Sequence, residues 1–413
     1  MTADPPQGRI APPPVLRRGA PAAVLAALPG ARAVGGAVRD TLAGRPVQDV
    51  DVAAPLPPEE VARRLEAAGL RVFETGLAHG TVTAVLEGEA VEVTSLRRDL
   101  ATDGRHATVA WTSDWREDAA RRDFTINAMS LSAEGDLWDY FSGREDLSAG
   151  RVRFVGDPAT RLAEDTLRAL RFFRFQARYG RGAPEAAALA AIRAAVPGLG
   201  RLSAERVWME LKRLLAAPDP TGALTLMAET GVLGAVLPEA VPPQLGALRR
   251  ALAAGLPSDP VLRCAILLDP ATAGAGGRIA ARLKLSGEER DRLVRLHDMQ
   301  GARPDIPPIG DAAARMRWLA TRQDPGAVLD EAWLAEAREG MDLSALRRWL
   351  AATPPPSLPV LGRDAVALGV PPGPQIGALL DATRAWWLAG GCTADRAACL
   401  LHMRELAVAR GLI

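Results

Sequence analysis

Two aspartates separated by a single valine, Asp49 and Asp51 in "VQDVDVA", stand about a dozen residues after a glycine pair, Gly35-Gly36. Side chains two apart on a strand share a face. The spacing therefore predicts two carboxylates side by side, with Val50 and Val52 turned to the core. The run "AVEVTSL" repeats the pattern, Val91 and Val93 inward and Glu92 outward. Three carboxylates on one face repel each other unless a cation sits between them. Hard divalent ions with oxygen ligands, Mg²⁺ foremost, suit such a set, and two ions roughly 4 Å apart serve in-line phosphoryl displacement. Gly35-Gly36 follow a β run and open the helix "AVRDTLAG", so backbone N–H groups can approach an anion there, with Arg39 in reach of it. A bare DxD usually faces water and a glycine pair alone says little. Together they describe a triphosphate held beside metal-binding carboxylates.

A second constellation lies in "EDTLRALRFFRF". Read as one helix, it places Asp165 and Arg168 three apart and so on one face. An ionised Asp only accepts hydrogen bonds and Arg only donates them. The pairing edges of cytosine and adenine each offer an amino donor beside ring acceptors, so one Asp–Arg pair can serve either base. Uracil and guanine put a carbonyl where Asp165 needs a donor, at roughly 1–3 kcal/mol per unsatisfied contact. Arg171 and Arg174 continue the stripe, suited to phosphate, while Phe172, Phe173 and Phe175 read as core. In "RRDFTINAM", Arg122 is a candidate phosphate contact. Asp123 and Asn127, four apart, either join it or brace the loop.

The elements that must hold these groups fall into two styles. From about 21 to 148, short β runs alternate with helical pieces: a hairpin turns at Gly88, and "PEEVARRLEAAG" stops at Gly69. After 149 the strand signals fade into amphipathic helices, including one long helix over "RLAEDTLRALRFFRFQARYG" and another over "LSAERVWMELKRLL". The segment 97–118 is polar with few strand signals and reads as a loop. Residues 1–20 are Pro-rich and read as a disordered lead. The expected divisions are a head at 21–148 and helical segments at 149–215, 216–352 and 353–413, the last following the linker "TPPPSLP".

With several ordered motifs in place, the chain resembles the class II tRNA nucleotidyltransferase/poly(A) polymerase family of the DNA polymerase β superfamily. "GGAVRD" with "DVDVA" is similar to its catalytic signature, "ARRDFTINAM" to its second motif and "GDPATRLAEDTLRALRFFRF" to its nucleotide-selecting motif. "ERVWMELKRLL" and "LGRDAVALGVPPGPQIGALL" resemble the helix that follows and the tail. The resemblance implies an α+β fold, a polymerase-β-like mixed-sheet head followed by all-helical neck, body and tail. It implies Asp49 and Asp51 as ligands of Mg²⁺, two ions in all, with Glu92 as third acidic group. It puts Gly35, Gly36, Arg39, Arg122 and Asp123 by the incoming nucleotide, and Asp165, Arg168, Arg171 and Arg174 on positions that bind CTP or ATP. For segment 97–118 it implies hinge or lid behaviour. The implied activity is template-independent addition of C, C and A to a tRNA 3′ end. A poly(A) polymerase or a partial CC- or A-adding enzyme is the alternative, and a non-catalytic RNA-binding relative a third reading. tRNA and nucleoside triphosphates are the implied partners, with neither DNA nor membrane.

Composition narrows the field further. Length predicts two to four domains, and no apolar run reaches the roughly 20 residues that span a bilayer. The start lacks a basic segment followed by an apolar one, so no secretory signal is expected. Three scattered cysteines make neither a disulfide framework nor a CxxC pair, and the cytoplasm is the expected compartment. Net charge is +1, yet eight arginines face three acidic residues between Arg151 and Arg181, an excess suited to phosphate. "LHD" at 296–298 hints at a metal phosphohydrolase, but only His297 and His402 lie beyond residue 106, too few ligands; His297-Asp298 reads as a surface pair. Trp386-Trp387 read as core, and "GVPPGPQIG" as a tight turn before a helix, either structural or a grip on an RNA phosphate.

Overall fold

Ten short strands form within the first 139 residues, where β-branched residues alternate with polar ones. The computed structural model describes residues 4–76, 80–102, 107–299, 307, 310–322 and 325–413. The strands are β1 (Gly8–Arg9), β2 (Arg32–Val34), β3 (Asp51–Ala54), β4 (Arg71–Gly76), β5 (Thr81–Leu86), β6 (Glu89–Ser95), β7 (Arg97–Thr102), β8 (Ala107–Trp111), β9 (Met129–Leu131) and β10 (Asp136–Asp139). Eight of them make one mixed sheet in the order β1-β10-β9-β2-β3-β6-β5-β4, in which only the β3–β6 pair is parallel. Glu87 and Gly88, both at positive φ (50° and 86°), close the tight β5–β6 hairpin at the expected place.

Helices α1 (Gly19–Ala27) and α3 (Pro58–Ala67) cover β3, β5 and β6. Between them lie Val52, Val82, Val91 and Val93, each no more than 1% exposed. Helices α2 (Gly36–Leu42), α4 (Trp115–Ala120) and α5 (Gly143–Ala149) complete the head. Then follow α6 (Pro158–Glu164), α7 (Arg168–Tyr179), α8 (Ala186–Ala195) and α9 (Ala204–Leu215). Phe172, Phe173 and Phe175 are buried as expected, and the Phe172 ring stacks on Phe154 at 5.8 Å. Residues Met1–Pro243, Ser258–Pro260 and Arg278–Ser286 form one compact unit; Gln244–Pro257, Val261–Gly277 and Gly287–Ile413 form a second, built of helices. The α+β class and mixed-sheet head are those expected. No helix among the described residues is long and apolar enough to cross a membrane.

Several local expectations need correction. The Pro-rich lead is ordered from residue 4: β1 pairs with β10, the Trp138 indole donates to the Asp4 carbonyl at 2.8 Å, and Leu16 is buried. Proline suits this edge, where half the backbone groups need no partner. Segment 97–118 is a two-stranded β7–β8 ribbon leading into α4, not a polar loop; residues 103–106 of it lie outside the described residues. Its strand character comes from cross-strand pairing such as Arg97 opposite Trp111, which periodicity does not reveal.

The long helix over 161–180 is broken. Asp165 adopts an extended conformation (φ −151°, ψ 105°), and its Oδ1 accepts the Leu167 N–H at 3.1 Å. A short acidic side chain that bonds the backbone two residues on competes with the helix. In the second unit, His297 is buried (4% exposed) with only Asp298 outside, so the two are not a surface pair. Gly276 makes this packing possible, since a Cβ there would come 3.1 Å from that of His297. Trp387 is core, as expected. Trp386 is 37% exposed and stacks on the His402 ring at 4.2 Å. The Pro-Gly turn precedes helix Pro374–Ala389 with proline in its first turn.

Candidate active site

Asp51 is the first residue of β3 and sits between two register partners, Val34 on β2 and Glu92 on β6. Because β3 and β6 run parallel in this register, Asp51 and Glu92 share a sheet face, as the spacing predicts. Asp49 does not join the strand; it is exposed on the coil before β3. The pairing stops because β2 ends at Val34, where Gly35 (φ +64°) turns the chain away into α2. Val50 and Val52 are buried as expected.

The carboxylates sense one another. Partial desolvation raises the Asp51 pKa above the usual carboxylate value; Glu92 and then Asp49 add to the rise, while Arg122 opposes it. Among the described residues no three His, Cys, Asp or Glu side chains close a metal cage by themselves. An open carboxylate pair is nonetheless the donor set that Mg²⁺ favours, since that ion keeps several waters and binds through one or two carboxylates plus substrate phosphates. The residues present fit a hard divalent cation.

A cavity of about 520 Å³ opens beside Asp51. Gly35, Gly36, Arg39, Arg122, Asp123, Asp165, Arg168, Arg171 and Arg174 all line it, so of the twelve site residues expected from sequence only Asp49 and Glu92 are absent from its wall besides Asp51 itself being present. Eight arginines against three aspartates give the wall a strong positive excess, as a triphosphate requires. No Ser, Cys or His lies among its lining residues.

The arginines are held by a buried polar frame. The Asp123 carboxylate accepts from the Phe124 N–H (2.8 Å), Asn127 Nδ2 (3.0 Å) and Arg171 Nε (2.6 Å). Burial alone would raise its pKa; Arg171 foremost, then Asn127 and the Phe124 N–H, outweigh this and hold it below the ordinary value. The Asn127 Oδ1 in turn accepts from Arg39 Nη1 at 2.7 Å, linking the glycine turn to α7. Asp118 is almost fully buried and pairs with Arg121 (2.7 Å) and Arg122 (3.2 Å). Glu210 on α9 pairs with Arg174 at 2.8 Å. Desolvation still depresses that guanidinium to about 10.

At Asp165 and Arg168 the structure departs from the one-helix picture. The Asp165 Oδ2 accepts from Arg206 Nη2 at 2.6 Å, not from Arg168. Arg168 bonds the Glu164 carboxylate and the carbonyls of Arg161 (3.0 Å) and Arg121 (3.1 Å). The helix break separates the two side chains along the chain, and the cavity reunites them.

Sequence reasoning missed Asp118, Arg206 and Glu210. Asp118 was legible three and four residues before Arg121 and Arg122. Glu210 was legible as an acid within the apolar stripe of α9, between Val207 and Leu214. Nothing local marks Arg206, whose partner lies on another element.

Residues 31–153 match the family described as the poly A polymerase head domain, and residues 183–242 that described as the probable RNA and SrmB-binding site of polymerase A. The mitochondrial CCA tRNA nucleotidyltransferase 1 of Danio rerio is 38% identical over 375 residues, covering 86% of this chain and 83% of the relative. The Homo sapiens protein of that name is 34% identical over 389 residues, covering 91% and 86%. The crystal structure of the Bacillus stearothermophilus CCA-adding enzyme in complex with CTP covers 92% of this chain and 94% of that one, with TM-score 0.67 and 29% identity. Alike along most of its length to these enzymes, and matching the family's head domain, the chain belongs to the CCA tRNA nucleotidyltransferase/poly(A) polymerase family.

Proposed function

We propose that this protein completes tRNA 3′ ends, adding C, C and A from CTP and ATP without a nucleic-acid template. The observation that carries the reading is the single cavity joining Asp51, the Gly35-Gly36 turn and the Asp165–Arg174 segment. Arg39 and Arg122 take the triphosphate, with Arg171 and Arg174 continuing the cationic wall. Asp165, pinned by Arg206 and the Leu167 N–H, keeps its remaining lone pairs for the amino group of cytosine or adenine. Arg168, pinned by Glu164, offers its remaining N–H groups to the ring acceptors. Asp49 and Asp51, with Glu92, would hold Mg²⁺, two ions when the triphosphate is bound. Held by these carboxylates, such ions would supply acidification of the RNA 3′-hydroxyl and charge neutralisation on the leaving pyrophosphate. The bound triphosphate is oriented for direct displacement, consistent with a wall that offers no Ser, Cys or His nucleophile. Segment 149–215 selects the nucleotide, and 216–352 and 353–413 hold the tRNA.

Supplying tRNA that lacks its end, or ends in C or CC, with each triphosphate in turn tests this. Stepwise C, C, A incorporation is expected. Incorporation of ATP alone onto generic RNA would overturn the tRNA reading in favour of poly(A) synthesis.

Asp165→Asn tests base reading. Asn keeps the backbone bond but adds donors that tolerate a carbonyl, so the kcat/KM preference for CTP over UTP should fall by about 10- to 100-fold. An unchanged preference would remove Asp165 from selection.

A further inference from the structure

The arginine excess read between 151 and 181 is not exhausted by the active site. Arg178 and Arg181, at and beyond the end of α7, line a second cavity of about 410 Å³ together with Arg45 and Arg144. No residue of its wall is acidic. Among the described residues none of these four arginines forms an ion pair, whereas the arginines of the first cavity are held by Asp40, Asp118, Asp123, Glu164, Asp165 or Glu210. Converging like charges without a counter-ion repel. The wall is nonetheless ordered: Arg45 donates to the Arg178 carbonyl at 2.7 Å and Arg181 to that of Ser148 at 3.0 Å. Arg181 also lies across Gly150 (φ +68°), where a Cβ would come 2.6 Å from the Arg181 Cβ and 2.8 Å from its Nε. Only glycine permits that placement.

We propose that this cavity is a second phosphate site, taking backbone phosphates of the RNA substrate; it rests on the reading of RNA as substrate. A free nucleotide fits the wall poorly. Its uncharged lining is chiefly Leu42, Ala43 and Leu147, and the Tyr179 ring is flanked by Arg39 at 4.6 Å and Arg45 at 4.7 Å, leaving little to recognise a base. Arg144, Arg178 and Arg181 are exposed, as a site that meets a passing strand requires. Tyr179 donates to Asp40, the neighbour and ion-pair partner of Arg39, so a lining residue of one cavity is linked to a lining residue of the other.

The test is the salt dependence of binding to tRNA lacking its 3′ end. For Arg178→Gln/Arg181→Gln, affinity should fall about tenfold at low salt, and the slope of log K against log salt should become shallower by about 1–2, as loss of one or two phosphate contacts predicts. kcat at saturating RNA and the KM for CTP should stay at the wild-type values. The Arg178→Lys/Arg181→Lys variant should retain most of the slope. If the double Gln variant melts early, Arg144→Gln on the exposed rim carries the same measurement. Unchanged affinity and slope overturn the proposal, and so does a loss of pyrophosphate or CTP binding with RNA binding intact. Wild-type incorporation on the same RNA is the control: its absence would refute the substrate reading instead.

Discussion

Asp51→Asn is expected to lower the kcat for CTP incorporation by about 10³-fold or more, with RNA affinity within about twofold of wild type, since a carboxylate that holds a catalytic metal contributes several kcal/mol to the transition state. Stability should respond in the opposite sense. The Asp51 pKa is raised in the fold, by partial desolvation first and by Glu92 next. A carboxyl with a raised folded pKa stabilises the protein at acid pH, and that contribution is lost as pH rises through the folded pKa. At pH 8 the ionised Asp51 is therefore a burden, and the Asn variant should melt no earlier than wild type. Adding Mg²⁺ should raise the melting temperature of wild type and do so far less for the variant. Undiminished turnover in the variant would take Asp51 out of the mechanism.

Asp123→Ala is expected to cost about 3 kcal/mol of stability by urea titration, and most of the activity with it. Removing one partner of a buried ion pair leaves the other charge uncompensated, typically 3–5 kcal/mol. Arg171 is half-buried and keeps Glu210 at 3.8 Å, which argues for the lower end. The Phe124 N–H and Asn127 also lose an acceptor. The sign of the pH dependence follows from the depressed Asp123 pKa: its contribution is complete above about pH 4 and fades as pH falls through the lower folded value. Wild type should lose stability more steeply than the variant on acidification below pH 4. Equal urea midpoints for the two proteins would show that the frame carries no weight. Parallel acid profiles would show the same.

How much of this was legible in advance varies with the kind of information each residue carries. Asp51 and Glu92 were placed on one face by period-2 alternation, and Val50, Val52, Val91 and Val93 in the core by the same count, because strand geometry is local. The same count puts Asp49 on that face too, and there it fails, because a strand lasts only as long as its neighbour, and β2 ends at Val34 before the Gly35 turn. The single helix over 161–180 failed at Asp165 for a related reason: its side chain finds the Leu167 N–H and Arg206, and the latter is 41 residues away. His297 looked like a surface residue because nothing in its own helix shows that Gly276 leaves room beneath it.

What the sequence alone determined is the inventory: the carboxylates, the glycine turn, the arginine stripe, and the change from an α/β head to helices. These follow from residue chemistry and short-range periodicity. Tertiary structure decided which arginine serves which carboxylate. Asp123 joins Asn127 and Arg171, Asp165 joins Arg206, Glu210 joins Arg174, and Arg178 and Arg181 are left facing a cavity without a counter-charge. A charged side chain taken from water must find its partner within a few ångströms in space, and distance along the chain does not enter that requirement.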